Sequence, residues 1–212
     1  MTRAVCIDSD DEVVTGICTA YRDQHIYPLL APQLGMTRLT GAGATRAALS
    51  RELSAGGVAL ITGSGHGFSN RFTGQHREAV LQIGQYAPIE VAGSIVHLLA
   101  CETGQALGAD LVANGCHAFF GYDETFVFPV EVAPLFLEAD SQIDLTLAAG
   151  RTAQEAYDAA VRMFNRHIRR LLVLGKPFLA AVLARNRDHL CAPTKDPKWG
   201  NPHASLPPAG AS

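Results

Sequence analysis

A chain of 212 residues, 48% of them apolar and 17% charged, carries enough hydrophobic material for one substantial core. Its formal net charge of −3 gives no whole-molecule reason to expect nucleic acid or an acidic membrane surface as partner. No apolar run approaches the roughly 18–20 residues that cross a bilayer. The opening Met1-Thr2-Arg3-Ala4-Val5 lacks a signal-peptide pattern, so the expectation is a cytoplasmic protein.

In chain order, Ala4 to Ile7 reads as a buried strand. Asp8-Ser9-Asp10-Asp11 then opens a helix from about Glu12, with an apolar face of Val13, Val14, Ile17 and Ala20, ending before Pro28. Met36 to Thr40 predicts a second strand and Thr45 to Ser54 a helix closed by Gly56-Gly57. Val58 to Thr62 is a continuous apolar strand of the fully buried kind. Phe68 to Gly93 is less regular, with a hairpin around Val80 to Ile83. Ile95 to Leu99 is the next buried strand, followed by a helix over about Gln105 to Ala113 and a strand over Ala118 to Tyr122.

The longest predicted helix opens on a capping box, Thr152-Ala153-Gln154-Glu155, with a stripe of Ala153, Ala156, Ala160, Phe164, Ile168, Leu171 and Leu172. Gly175 and Pro177 stop it, and Phe178 to Ala184 is expected as the last strand. From Cys191 onward the chain holds five of its eleven prolines and little apolar material. This divides it into one domain over residues 1–190 and a loose, disordered tail over 191–212. Six strands with helical crossovers give an α/β fold, a mostly parallel twisted sheet with helices on both faces.

The five cysteines are odd in number and irregularly spaced, with no C-x-x-C pair, so neither a disulfide framework nor structural zinc is expected. His76, His97, Cys116 and His117 fall at no metal-ligand spacing, and His97 reads as a core residue supporting the site. Gly41-Ala42-Gly43 lacks the Lys-Ser/Thr of a phosphate loop. No metal and no cofactor are expected.

Two strand ends carry chemistry. The third strand runs into Gly63-Ser64-Gly65-His66-Gly67 and the fourth into Ala100-Cys101-Glu102-Thr103-Gly104. Ligands gather beyond the carboxyl ends of parallel strands, and consecutive strands are often neighbours. His66 and Cys101 therefore become a candidate catalytic pair, the imidazole handling the proton that a thiol must lose to attack a carbonyl. The backbone N–H groups of Gly67 and Cys101 are candidate oxyanion donors.

Ser-Gly-His-Gly after an apolar strand, followed by a strand leading into Ala-Cys-Glu-Thr-Gly, resembles the caspase-like clan of cysteine peptidases. That clan includes caspases, metacaspases, gingipains, separases and CHAT domains. Leu98 to Gly104 is most similar to CHAT domains, and Leu39-Thr40-Gly41 with Ala44-Thr45-Arg46 looks more like a metacaspase. The resemblance spans roughly residues 1–185. It implies a caspase-like three-layer sandwich with strand order 2-1-3-4-5-6, the last strand antiparallel, and a peptide or protein as substrate.

The pattern departs from caspases before the cysteine, so cleavage after Asp is not implied. In the related folds the strand that here ends in Gly121-Tyr122-Asp123-Glu124 lines the S1 pocket. Asp123, with Glu124, thus becomes a candidate partner for a basic P1 side chain. From Glu78 to Gly150 there are ten acids and no Lys or Arg, all 17 basic residues lying outside. That bias suits a basic substrate. It also excludes self-cleavage after Arg or Lys in that stretch, so the enzyme is expected to act as one uncleaved chain, switched by a partner or by conformation. The alternative from another class is a catalytically silent caspase-like adaptor or regulatory module. A flavodoxin-like binding protein would leave Ser-Gly-His-Gly unexplained.

Overall fold

Side chains alternate between two faces along a strand, and that alternation organises the whole structure. The computed structural model describes residues 1–208. In chain order, β1 (Thr2–Asp8) leads into α1 (Val13–Tyr21), a π-helical turn (Arg22–Ile26) and α2 (Tyr27–Leu30). Then come β2 (Leu34–Thr40), α3 (Arg46–Ser54) and β3 (Val58–Ser64). The short strands β4 (Gly67–Phe68), β5 (Arg71–Thr73) and β6 (Ala79–Gln82) form a small antiparallel sheet, one strand more than the expected hairpin. After α4 (Pro88–Val91) follow β7 (Ile95–Leu99), α5 (Leu107–Ala113) and β8 (Ala118–Tyr122). The chain ends with α6 (Ala133–Ala148), α7 (Ala153–Val173), α8 (Pro177–Asp188) and β9 (Leu190–Cys191).

The main sheet has six strands in the order β2-β1-β3-β7-β8-β9. All neighbours pair in parallel except β8 and β9, which are antiparallel. This is the expected order. Ala4, Cys6, Leu60, Ile95, Leu99, Phe120 and Tyr122 face α1, α2 and α6 to α8. Val5, Ile7, Ile61, Val96, Leu98 and Phe119 face the opposite way, towards α3, α4 and α5. The result is a three-layer sandwich with two cores.

Three expectations need correction, and one helix went unread. The buried side of α1 is Thr15, Cys18 and Thr19, while Val13 and Val14 lie exposed. The helix turns its polar residues inward because the sheet below it is polar there, as described below. Helix α6 gave no apolar stripe in the sequence, since its buried face includes Asp140, Ser141 and Asp144. The segment Phe178 to Ala184 belongs to α8, with Pro177 at its first position, where a missing N–H costs nothing; the last strand is only Leu190–Cys191.

Finally, the segment after Cys191 is packed against the domain. Trp199 is buried and its indole N–H donates to the Gly104 carbonyl at 3.1 Å. Ala204 and Leu206 are also buried, and the N–H of Ala153 at the start of α7 donates to the Ala204 carbonyl at 2.8 Å. A few apolar anchors hold a proline-rich segment that composition alone marks as loose. Residues 209–212 of the expected tail lie outside the described residues.

Candidate active site

Strands β3 and β7 are hydrogen-bonded neighbours, with Thr62 opposite His97 and Ser64 opposite Leu99. The Gly65 N–H continues towards the Leu99 carbonyl at 3.3 Å. His66 and Cys101 stand two residues further on, and each shares the face of its strand's alternate residues, Ser64 and Leu99. Register and pleat therefore direct both side chains to one end of one face. Both line a single small cavity of about 50 Å³ with Val14, Thr15, Cys18, Phe126 and Phe128.

Close backbone contact fixes the two ends to each other. A Cβ at Gly67 would overlap the Cys101 carbonyl oxygen and crowd the Cys101 nitrogen, so only glycine fits. The His66 carbonyl accepts from both the N–H and the hydroxyl of Thr73, at 2.9 and 3.1 Å. Beyond the cysteine, Glu102 takes a left-handed backbone at φ 59°. Its N–H donates to the Glu124 carbonyl at 3.2 Å, and the Gly104 N–H to the Tyr122 carbonyl at 2.8 Å. Cys101 thus sits on a tight turn; α5 starts only at Leu107.

Glu12, at the start of α1, is a site residue that sequence reasoning missed. Its Oε2 lies 3.1 Å from His66 Nε2, an ion-pair distance, although the ring N–H is not aligned for a directed hydrogen bond. Arg77 donates to the other oxygen at 2.8 Å and, together with His66, holds the Glu12 carboxyl below its usual range. Spacing gave no signal, because 54 positions separate Glu12 from His66. Among the described residues no hydrogen bond joins the Cys101 thiol to His66. Burial pushes that thiol above its ordinary value, with a backbone contact from Phe126 pulling the other way. Burial pushes the Cys18 thiol, on the cavity's inner wall, up to about 12.

Asp123 and Glu124 stand beyond the end of β8 and are not among the cavity's lining residues. Each has a basic neighbour: Asp123 accepts from His189 Nδ1 at 2.8 Å, and Glu124 from Arg185 at 2.7 Å. The intervening loop is clamped by α8, where the buried Asn186 side chain donates to the Val127 carbonyl at 2.8 Å and accepts from its N–H at 3.2 Å.

Directly beneath the cavity lies a buried layer of charge. Arg22, fully enclosed, reaches Asp8 at 3.1 Å, Asp144 at 3.2 Å and the Thr62 hydroxyl at 2.8 Å, with Tyr27 bridging to Asp8. His97 bonds Asp144 through Nδ1 at 2.9 Å and Asp140 through Nε2 at 3.3 Å, and Tyr122 donates to Asp140 at 2.8 Å. Burial alone would lower the His97 pKa; Asp144 and Asp140 overcome it and raise the value to about 9. The layer connects upward, since Asp8 accepts from both the N–H and hydroxyl of Ser64, at 2.9 and 2.8 Å, two residues before His66.

No protein-family model matches the chain. No curated protein matches it either. Among solved structures it is similar to the Arg specific cysteine proteinase gingipain R (RGPB), with TM-score 0.63 and 10% identity, covering 97% of this chain and 48% of that one. A second likeness is to the complex of Porphyromonas gingivalis RgpB pro- and mature domains, with TM-score 0.55, 13% identity and the same coverage. The fold is caspase-like. The chain spans about half the length of these solved structures, and nothing in the likeness singles out CHAT domains or metacaspases. Within the caspase-like fold, His66 and Cys101 occupy the carboxyl ends of the two central strands, β3 and β7. Among the described residues no helix is long and apolar enough to cross a membrane, and no cluster of His, Cys, Asp and Glu is arranged to hold a metal.

Proposed function

We propose that this chain is a cysteine endopeptidase with Cys101 as nucleophile and His66 as acid–base. One observation carries the reading: the two side chains share one cavity at adjacent strand ends, inside a caspase-like fold. The thiol proton passes to His66 as sulfur bonds the scissile carbonyl carbon. The C–N bond then breaks as His66 gives its proton to the leaving amine. Water, deprotonated by His66, releases the acyl group and restores the thiol. The N–H groups of Gly67 and Cys101, on backbone segments in close contact, receive the oxyanion. Glu12, 3.1 Å from Nε2, steadies the imidazole.

A thiol raised by burial and free of the imidazole describes a resting enzyme, in which attack awaits substrate. A switch by an activating protein partner fits that state; RgpB, a neighbour in fold, forms a complex of its pro- and mature domains. The same resting thiol is what the alternative, a catalytically silent adaptor, would present.

For specificity, the Lys/Arg-free acidic stretch and the Arg specificity of the gingipain R neighbour support a basic P1 residue. Asp123 and Glu124 would receive it by exchanging His189 and Arg185 for the substrate's cation. The cavity lining of Val14, Cys18, Phe126 and Phe128 favours a second reading, a small apolar P1 side chain.

Peptidyl chloromethyl ketones carrying Arg, Lys, Ala or Val at P1 test both levels. Covalent labelling of the native chain that is lost in Cys101→Ala and reduced in His66→Ala supports the peptidase. Labelling of every probe at equal rates in native chain and His66→Ala leaves the adaptor. Ranking of the probes decides P1.

A further inference from the structure

The turn between α7 and α8 is unusual for its exposure. Leu172 to Phe178 are seven consecutive exposed residues, including Leu172, Val173, Leu174 and Phe178, the last two 58% and 74% accessible. Scattered exposed apolar residues are ordinary, but a contiguous set marks an interaction surface. Beside the turn runs a groove of about 310 Å³ walled by Val132, Pro134, Leu135, Leu171 and Leu174. Arg170 and Lys176 stand at its rim, with Glu131 as its one acid.

Charge identifies what fits there. Arg162, Arg166, Arg169 and Arg170 follow helical spacing along the outer side of α7 and lead to Lys176. Among the described residues, none of these five cations has a carboxylate within salt-bridge distance, whereas Arg22, Arg38, Arg46, Arg77 and Arg185 all do. A concave apolar slot flanked by unpaired cations calls for an apolar side chain flanked by acids. A lipid surface is flat and would leave the groove unfilled.

We propose that the groove between the start of α6 and the α7–α8 turn is the docking site for an acidic, amphipathic segment of a partner protein, in the helix-in-groove manner. Val132 in its wall is four residues from Phe128, which lines the cavity at Cys101. Helix α8 starts at the exposed turn and, through Asn186, clamps the backbone of Val127 in the same loop. An occupant of the groove therefore touches the start of α6 and Lys176, the N-cap residue of α8, at the two elements flanking the loop that walls the active-site cavity. The docking itself does not depend on the peptidase reading; its consequence at Cys101 does.

The full chain is titrated by fluorescence anisotropy against two designed labelled helical peptides, one with Leu on one face and Glu on the other, one with Lys replacing each Glu. The Glu peptide should bind in the micromolar range, weaken with salt, and lose at least tenfold in affinity in Arg170→Glu/Lys176→Glu and in Leu174→Asp. Arg51→Glu, a single charge reversal on α3 across the sheet, should leave it within twofold, and Arg170→Glu alone, the matched single reversal, should not. Equal binding of the Lys peptide, no binding of either, or indifference to the groove variants overturns the proposal. So does vesicle binding (phosphatidylserine with phosphatidylcholine) lost in Val173→Asp/Phe178→Asp without peptide binding. Self-association removed by the groove variants would likewise make the occupant a second copy and overturn it. Binding that leaves Cys101 alkylation by iodoacetamide unchanged keeps the docking and removes the link to the cavity.

Discussion

The two faces of the sheet are built from the same strands yet differ in kind. Towards α3 and α5 the strands present Val5, Ile7, Ile61, Val96, Leu98 and Phe119, an apolar face that packs by shape alone. Towards α1 and α6 the same strands present Asp8, Thr62, Ser64, His97 and Tyr122, all fully enclosed. A buried ion pair is a poor source of stability compared with well-packed hydrocarbon. The polar residues nevertheless sit only on the face that carries His66 and Cys101, and they tie together the ends of β1, β3, β7 and β8. What such a layer supplies over an apolar core is directed bonding, and Asp8 spends two bonds on Ser64 just before His66.

The largest test of this contrast is Arg22→Met, which leaves Asp8 and Asp144 buried without their cation. Urea unfolding at pH 7 should register a loss of about 3–5 kcal/mol. Leu98→Ala, on the other face, should cost about 2–5 kcal/mol through its cavity. The two overlap in size, so pH must separate them. His97 is ordinarily protonated below about 6.5 but is held up to about 9 in the folded chain. Its contribution is thus complete below pH 6.5 and disappears as pH climbs through 9. The chain and Leu98→Ala should lose stability in parallel between those limits, by a few kcal/mol at most, while His97→Phe should start lower and stay flatter. Parallel curves for all three would remove the charged layer from the account.

How much of this was legible follows the same division. Strands β1, β3, β7 and β8 are near-continuous apolar runs, and two of them end in glycine-rich segments carrying His and Cys, so the sheet and the candidate pair could be proposed from the residues, while the strand order came from the resemblance to the caspase-like clan. Helix α6 could not, because Asp140, Ser141 and Asp144 interrupt the stripe that reveals a helix, and their partners Arg22, Thr62, His97 and Tyr122 are scattered through the chain. Glu12 was hidden for the same reason. Helix α8 failed differently: Phe178-Leu179-Ala180-Ala181-Val182-Leu183-Ala184 is apolar without a period, and length alone did not discriminate strand from helix. Trp199 shows that a single large anchor can order a segment whose composition argues against it.

A smaller effect should separate the backbone of the site from both cores. Gly67→Ala forces a methyl group against the Cys101 carbonyl, so the strand end must shift. The stability cost should be about 1–3 kcal/mol, yet labelling of Cys101 by the chloromethyl ketones should fall far more than Leu98→Ala lowers it. Comparable labelling in both variants would mean that the contact between Gly67 and Cys101 does not set the geometry of the pair.

The smallest effect concerns protons rather than folding. The charged layer raises His97, yet His97 and Asp144 are not among the groups that move the Cys101 thiol, whose shift comes first from burial. A resting thiol above its ordinary value of 9.0 makes a simple prediction. Alkylation of Cys101 by iodoacetamide, followed by mass spectrometry, should rise about tenfold per pH unit from pH 6 to beyond 8.5, because only the thiolate reacts. A plateau near pH 7 would reveal a thiolate–imidazolium pair already formed in the free chain. In that case the site would need no rearrangement before attack, and the upper rim of this face would be as permanently charged as the layer below it.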